Sequence, residues 1–293
     1  MFNWGSANKD QKQAIVSTDG PVLIIAGPGT GKTFTLVKRI AYLVVEKQVK
    51  PSEIMVVTFT EKAAKELLTR ISNEFVQYEM NLNLNEMYIG TFHSVCLRIM
   101  KEYSEYVGDE NKSRVVDAFE QAYLVCKNID EFNRFGGFQK HIPTSQGVWK
   151  QSLEICRYVN QIQEELVDLD AMEADQDEDI RFLAKLVKRY REILERNNAM
   201  DFSSIQANTY HMLMDNPKAL ERIQQDVRYI MVDEYQDTNY IQEQLVFMFG
   251  GVHKNICVVG DDDQECIASE VQRFETFWNF RISFKWVNVS DFI

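Results

Sequence analysis

The densest chemistry in the chain lies in one octapeptide, Ala26-Gly27-Pro28-Gly29-Thr30-Gly31-Lys32-Thr33. Its glycines let the backbone wrap a phosphate without side-chain clash. The N–H groups of the loop, and the N-terminus of a helix beginning at its end, then point at the anion. Lys32 can reach β- and γ-phosphates and the Thr33 hydroxyl can coordinate Mg²⁺. This is the Walker A pattern with Ala26 in place of its first glycine. A second stretch, Tyr229 to Thr238, ends an apolar run in Asp233-Glu234. Asp233 is suited to hold Mg²⁺ through water. Glu234 is suited to take a proton from an attacking water, which selects hydrolysis over transfer to a second substrate. A third block closes another apolar run with Gly260-Asp261-Asp262-Asp263-Gln264. Gln264 could hydrogen-bond the γ-phosphate and report its loss, and a bare Asp-rich turn is the plainer reading.

Chemistry of this kind needs a scaffold that brings three distant segments to one edge. Five short apolar, β-branched runs read as buried strands: Val22–Ala26, Ile54–Thr58, Met87–Thr91, Tyr229–Val232 and Ile256–Val259. After the second, Ala63, Ala64, Leu67, Leu68, Ile71 and Phe75 recur at helical spacing, with Lys62, Lys65, Glu66 and Arg70 facing outward. Strand alternating with helix gives an α/β fold with a parallel sheet covered on both faces. In such sheets ligands bind beyond the carboxyl ends of the strands, where all three motifs lie. Between Thr91 and Arg228 no convincing strand appears, and helical patterns fill the gap, the clearest being Ile180, Leu183, Leu186, Val187, Tyr190, Ile193 and Leu194. A loop of that length is implausible, so the expectation is an all-helical subdomain inserted into the α/β domain.

Composition bounds the rest. The 293 residues are 45% hydrophobic and 26% charged, ordinary for a globular protein. No apolar run is long enough to span a bilayer, and the N-terminus lacks signal-peptide character, so a cytoplasmic protein with no membrane partner is expected. Five scattered cysteines without a Cys-x-x-Cys argue against a disulfide framework or a zinc site. The net charge of -12 looks wrong for a nucleic-acid binder, but nine carboxylates between Glu164 and Asp179, with no Lys or Arg among them, account for most of it. That run reads as a solvated loop. The basic residues Arg181, Lys185, Lys188, Arg189, Arg191 and Arg196 read first as a solvated helix face and second as a phosphate contact.

Taken in order, the motifs resemble the UvrD/Rep/PcrA branch of superfamily 1 helicases. The resemblance rests on the Walker A loop, Asp233-Glu234-x-Gln236-Asp237-Thr238 and Gly260-Asp261-Asp262-Asp263-Gln264. Further blocks agree: Asn8-x-x-Gln11, Thr58-Phe59-Thr60-x-x-Ala63-Ala64-x-Glu66, Gly90-Thr91-Phe92-His93-Ser94 and Met200-Asp201-Phe202. It implies a RecA-like P-loop NTPase domain, called 1A, with a helical insert called 1B. It also implies ATP and Mg²⁺ as cofactors, and 3′-to-5′ translocation with unwinding on single-stranded DNA or DNA with a single-stranded tail. Residues 26–33 would hold the nucleotide, Gln11 would hydrogen-bond adenine, and Thr58, Phe59, Thr60, Thr91, Phe92 and His93 would line the DNA path. Such a path works by stacking and phosphate hydrogen bonds and needs no strongly basic composition. Core packing is the competing reading of Phe59 and Phe92, and a structural role that of His93.

The expected organisation is 1–105 and 199–264 as the two parts of 1A, 106–198 as 1B, and 265–293 as an aberrant tail. Phe34 stands where many relatives place an Arg beside the adenine. After Gln264 the chain reads Glu265-Cys266-Ile267-Ala268 and departs from the family's Ser-Ile/Val-Tyr-x-Phe/Trp-Arg-Gly-Ala. One permitted codon set for residues 265–272, read from its third base, spells Val-Tyr-Arg-Phe-Arg-Gly-Ala. The tail is therefore expected to be a frameshifted stretch that packs poorly, and a second RecA-like domain to be missing, with no unwinding by this chain. Three alternatives stay open: the motor part of a helicase–nuclease, a nucleotide- or DNA-binding module without turnover, and an inactive pseudogene product. The sequence names no protein partner.

Overall fold

The structure is a computed structural model and describes residues 2–80, 82–106, 113–142, 145, 147–261 and 287–288. The chain runs α1 (Lys9–Val16), β1 (Val22–Ile25), α2 (Lys32–Val45), β2 (Ile54–Thr58), α3 (Glu61–Val76), β3 (Tyr88–Thr91) and α4 (Phe92–Glu102). A helical stretch follows: β4 (Arg114–Val115), α5 (Ala118–Lys127), α6 (Ile129–Asn133), α7 (Phe138–His141), α8 (Val148–Glu164), α9 (Leu169–Glu173), α10 (Glu178–Arg196), β5 (Ala199–Met200) and α11 (Phe202–Asp215). It closes with α12 (Pro217–Asp226), β6 (Tyr229–Val232), α13 (Tyr240–Phe249), β7 (Ile256–Gly260) and β8 (Val287–Asn288). These elements form two compact units, Met1–Val95 with Asn216–Ile293, and Cys96–Asp215. The unit boundaries fall at 95 and 215, where sequence reading set its divisions at 105 and 198.

The first unit is built on a sheet of strand order β3-β2-β6-β7-β1-β8, in which every pairing is parallel. The strands read as unbroken apolar runs because helices cover both faces. Val22, Ile24, Val56, Met231 and Val259 share one buried cluster with Leu36, Ile40 and Leu43 of α2 and with Leu67, Ile71 and Phe75 of α3. In α3 the expected inward face holds for Ala64, Leu67, Ile71 and Phe75, whereas Leu68 is exposed. β1 does not pair with β2, since β6 and β7 lie between them. Chain segments more than 200 residues apart are thereby made neighbours, and parallel pairing sends all their carboxyl ends to one edge.

The second unit has its own core. Leu124, Val125 and Phe132 pack with Ile155 and Val159 of α8 and with Leu186, Val187, Tyr190 and Ile193 of α10. Among the described residues its regular structure is helical apart from the two-residue parallel pair β4–β5, which joins Arg114 to Ala199 and Val115 to Met200. No helix among the described residues is long and apolar enough to cross a membrane. Gln264 and nearly all of 265–293 lie outside the described residues. The exception is β8, whose backbone runs beside β1 with Val22 opposite Val287.

Candidate functional site

The loop after β1 is shaped by its glycines. Gly29 and Gly31 have φ of +77° and +94°, a left-handed backbone that a side chain disfavours. The Thr30 hydroxyl donates to the Gly27 carbonyl at 2.7 Å and closes the loop on itself. Gly31 is the N-cap of α2 and supplies no side-chain acceptor, so the first turn of a 14-residue helix meets the loop without a capping group. Pro28, Gly29 and Thr30 are exposed, while Ala26 is buried and its N–H continues the β7 ladder to Gly260 O at 3.0 Å. Gln11 braces this loop from the side. Its Nε2 donates to Thr30 O at 3.0 Å, and its Oε1 accepts from Asn8 N at 3.0 Å in the capping box of α1. These two bonds use one amide hydrogen and one acceptor lone pair of Gln11.

Lys32, the first residue of α2, points at the ends of β6 and β7. Its Nζ lies 3.2 Å from Glu234 Oε2 and 3.5 Å from Asp261 Oδ2. Glu234 adopts φ +51°, ψ +48°, and its carboxylate also accepts from Gln236 Nε2 at 2.8 Å. The other end of the Gln236 amide accepts from Asp261 N at 3.2 Å. Asp233 donates its N–H to Val57 O at 2.9 Å, extending the β6 ladder, and its Oδ1 accepts from Glu234 N at 3.2 Å. Burial, then the neighbouring Glu234 charge, push the Asp233 carboxyl up to about 6, against the lowering pull of Glu234 N–H and Lys32. A cation beside it would restore the charged form.

Lys32, Asp233 and Glu234 are therefore gathered at one edge, with Thr33 half-buried in the first turn of α2. A hydroxyl and a carboxylate are the hard oxygen donors that Mg²⁺ takes from protein when phosphates and water complete its shell. Among the described residues no group of three or more His, Cys, Asp or Glu is placed to hold a metal alone. Sequence reading passed over Gln236 and Asp261 as site residues. Gln236 carried a signal in the Asp233-Glu234-x-Gln236 spacing. Asp261 is one of three consecutive aspartates, of which the other two lie outside the described residues, and its spacing alone does not show that its side chain is buried.

The residues expected to line a DNA path sit at the ends of the adjacent strands β2 and β3, where Thr58 is opposite Thr91. Both threonines are buried. Thr58 Oγ1 donates to Thr60 O at 3.1 Å, and Thr91 Oγ1 lies 3.1 Å from Glu61 Oε1 and 3.3 Å from Ser94 Oγ. Thr60 caps α3 by accepting from Ala63 N at 3.1 Å. Phe59 is 54% exposed and offers a ring face, whereas Phe92 is 5% exposed, a core position that leaves no face for a base. His93 is half-buried.

Residues 7–270 match the model of the UvrD/REP helicase N-terminal domain. Over 261 residues the chain is 34% identical to a protein named ATP-dependent DNA helicase PcrA from Staphylococcus epidermidis and 33% identical to one of the same name from Staphylococcus aureus. The aligned part covers 88% of this chain and 33% of each relative, so the chain spans about a third of the length of the curated relatives it matches.

Proposed function

The chain belongs to the UvrD/REP helicase family, and from that premise we propose that it binds and hydrolyses Mg·ATP as the nucleotide-holding part of a motor that moves on single-stranded DNA. The observation that carries the reading is the convergence of Lys32 Nζ, Glu234 and the uncapped start of α2 at one sheet edge. A phosphate entering the loop meets the N–H groups of α2 and draws Lys32 away from Glu234. Glu234, released from the ion pair and still held by Gln236, accepts a proton from the attacking water as the bond from the bridging oxygen to the γ-phosphorus breaks. Thr33 and Asp233 would hold Mg²⁺, which neutralises charge on the phosphates. Gln11 reads the base. In this reading the sheet unit is domain 1A and the helical unit 1B, and Phe59, Thr60 and His93 line the DNA track, with Thr58 and Thr91 buried beneath it. Translocation 3′ to 5′ and unwinding belong to the whole motor.

A module that holds nucleotide without turnover is the second reading, favoured by the Lys32–Glu234 pair, which ties the candidate base to the phosphate-binding amine. Calorimetric titration with Mg·ATP, and phosphate release with and without a single-stranded oligonucleotide, separate the two. The 293-residue polypeptide is expected to bind Mg·ATP weakly, and Lys32→Ala to remove most of that binding. Equal affinity in both proteins sinks the site assignment. Binding without any DNA-stimulated phosphate release favours the module.

A further inference from the structure

The candidate DNA track carries an acid that no step above uses. Glu61 opens α3 directly after Phe59 and the capping Thr60, and it is the acidic residue of that helix's first turn. Its side chain reaches from the end of β2 to the end of β3, where Thr91 Oγ1 lies 3.1 Å from Glu61 Oε1. The direction of this bond is set from the other side. Ser94 N donates to Thr91 Oγ1 at 3.3 Å and Ser94 Oγ donates to Thr91 O at 2.9 Å. The Thr91 hydrogen is left to the carboxylate, the strongest acceptor in reach. Glu61 is exposed, and Lys62 and Lys65 on the same helix form no ion pair with it among the described residues. A negative charge is thus anchored at the strand ends, two residues from the exposed ring of Phe59.

We propose that Glu61 is a specificity residue of this track, admitting a single strand and turning away a duplex. The proposal rests on the DNA reading above. The start of α3 would by itself draw a phosphate, but its field is already met by a carboxylate. A single strand can rotate its nucleotides, stack a base on Phe59 and keep its phosphates clear of Glu61. A duplex has no such freedom. Its bases are paired, and both of its strands carry phosphate on the outside. Brought to the same edge, it gains no stacking and sets a phosphate against the carboxylate. The discrimination comes from repelling the wrong substrate and costs the right one little.

The test is fluorescence anisotropy with an oligothymidylate and with a blunt duplex of equal length, on the 293-residue polypeptide at low and at high salt. The wild type is expected to favour the single strand. Glu61→Gln keeps an acceptor for Thr91 and removes the charge. It should tighten the duplex about threefold at low salt, change the single strand less, and lose the gain at high salt. Glu61→Asp, which keeps the charge, should bind as the wild type does. If Glu61→Gln leaves the single-strand preference where it was, or shifts it equally at both salts, Glu61 only latches α3 to Thr91 and the proposal fails. A wild type that binds both DNAs equally overturns it too. Phe59→Ala separates these results from failure of the DNA reading. It should weaken the single strand about fivefold and leave the duplex unchanged. If it changes neither, or the wild type binds neither DNA, the track itself is misplaced.

Discussion

Glu234 is held in a left-handed backbone conformation, which costs a non-glycine residue about 1–2 kcal/mol and persists only where the surroundings over-determine it. Here they do: Lys32 and Gln236 grip its carboxylate, and Asp233 takes its N–H. The same conformation recurs at Gly29 and Gly31, and the two glycines make a paired test of the loop. A Cβ on Gly29 meets nothing within 4 Å, so Gly29→Ala should cost only the backbone penalty, about 1–2 kcal/mol. A Cβ on Gly31 lies 2.9 Å from Gln11 Nε2 and pushes away the side chain that braces Thr30. Gly31→Ala should therefore lose about 1 kcal/mol more in thermal denaturation, together with a larger drop in nucleotide affinity. Equal effects of the two substitutions would mean that Gln11 does not support the loop. The sequence made the glycines legible because their role is backbone conformation, which composition displays directly. It did not reveal the Gln11–Thr30 bond, because that depends on how α1 packs beside α2.

At the scale of elements, periodicity served well where an element has one wet face and poorly where charges meet across elements. The apolar spacing of α10 is borne out by the burial of Leu186, Val187, Tyr190, Ile193 and Leu194, whereas Ile180 and Leu183 are only half-buried. Its basic face, read first as solvated and second as phosphate-binding, keeps its side chains partly exposed while several of them also pair within their own unit. Lys188 pairs with Asp170 and Glu173 of the acidic run, and Arg189 and Arg196 pair with Glu131. The acidic run, expected as a loop, instead forms α9 where it meets Lys188, and no one-dimensional pattern shows that it folds back on a basic helix. The start of α3 poses the opposite problem, a residue with two readings. Thr60 caps the helix through Ala63 N, and in the functional reading also faces DNA. Thr60→Ala should destabilise by about 1 kcal/mol, whereas Thr60→Asp, also a good cap, should melt near the wild type. Single-stranded oligonucleotide binding, followed by fluorescence anisotropy, should rank them the other way, with Asp weakest because it sets a carboxylate against phosphate. If Thr60→Asp binds DNA like the wild type, Thr60 is a cap and nothing more.

At the scale of the whole molecule, the two units carry separate hydrophobic clusters, and each encloses a cysteine that reports on its opening. Cys257 lies in β7 within the sheet cluster, and Cys156 in α8 within the helical one. Both thiols are buried, and burial raises their pKa, that of Cys156 to about 12. The thiolate is the reactive form, so at pH 8 neither should be alkylated until its unit opens and its pKa falls back toward the free value. Cys126, only half-buried, should react first and serve as the internal clock. Nucleotide binds the sheet unit in the functional reading. At a free ligand concentration near 100 times Kd it should stabilise that unit by about 2.7 kcal/mol, slowing alkylation of Cys257 roughly 100-fold. Because the clusters share no residue, Cys156 should react at its former rate. Mass spectrometry of the alkylated peptides with and without Mg·ADP reads both sites in one sample. Equal protection of Cys156 would show that the units open together despite their separate cores. No protection of Cys257, under conditions where calorimetry detects binding, would place the nucleotide elsewhere than on the sheet edge argued above.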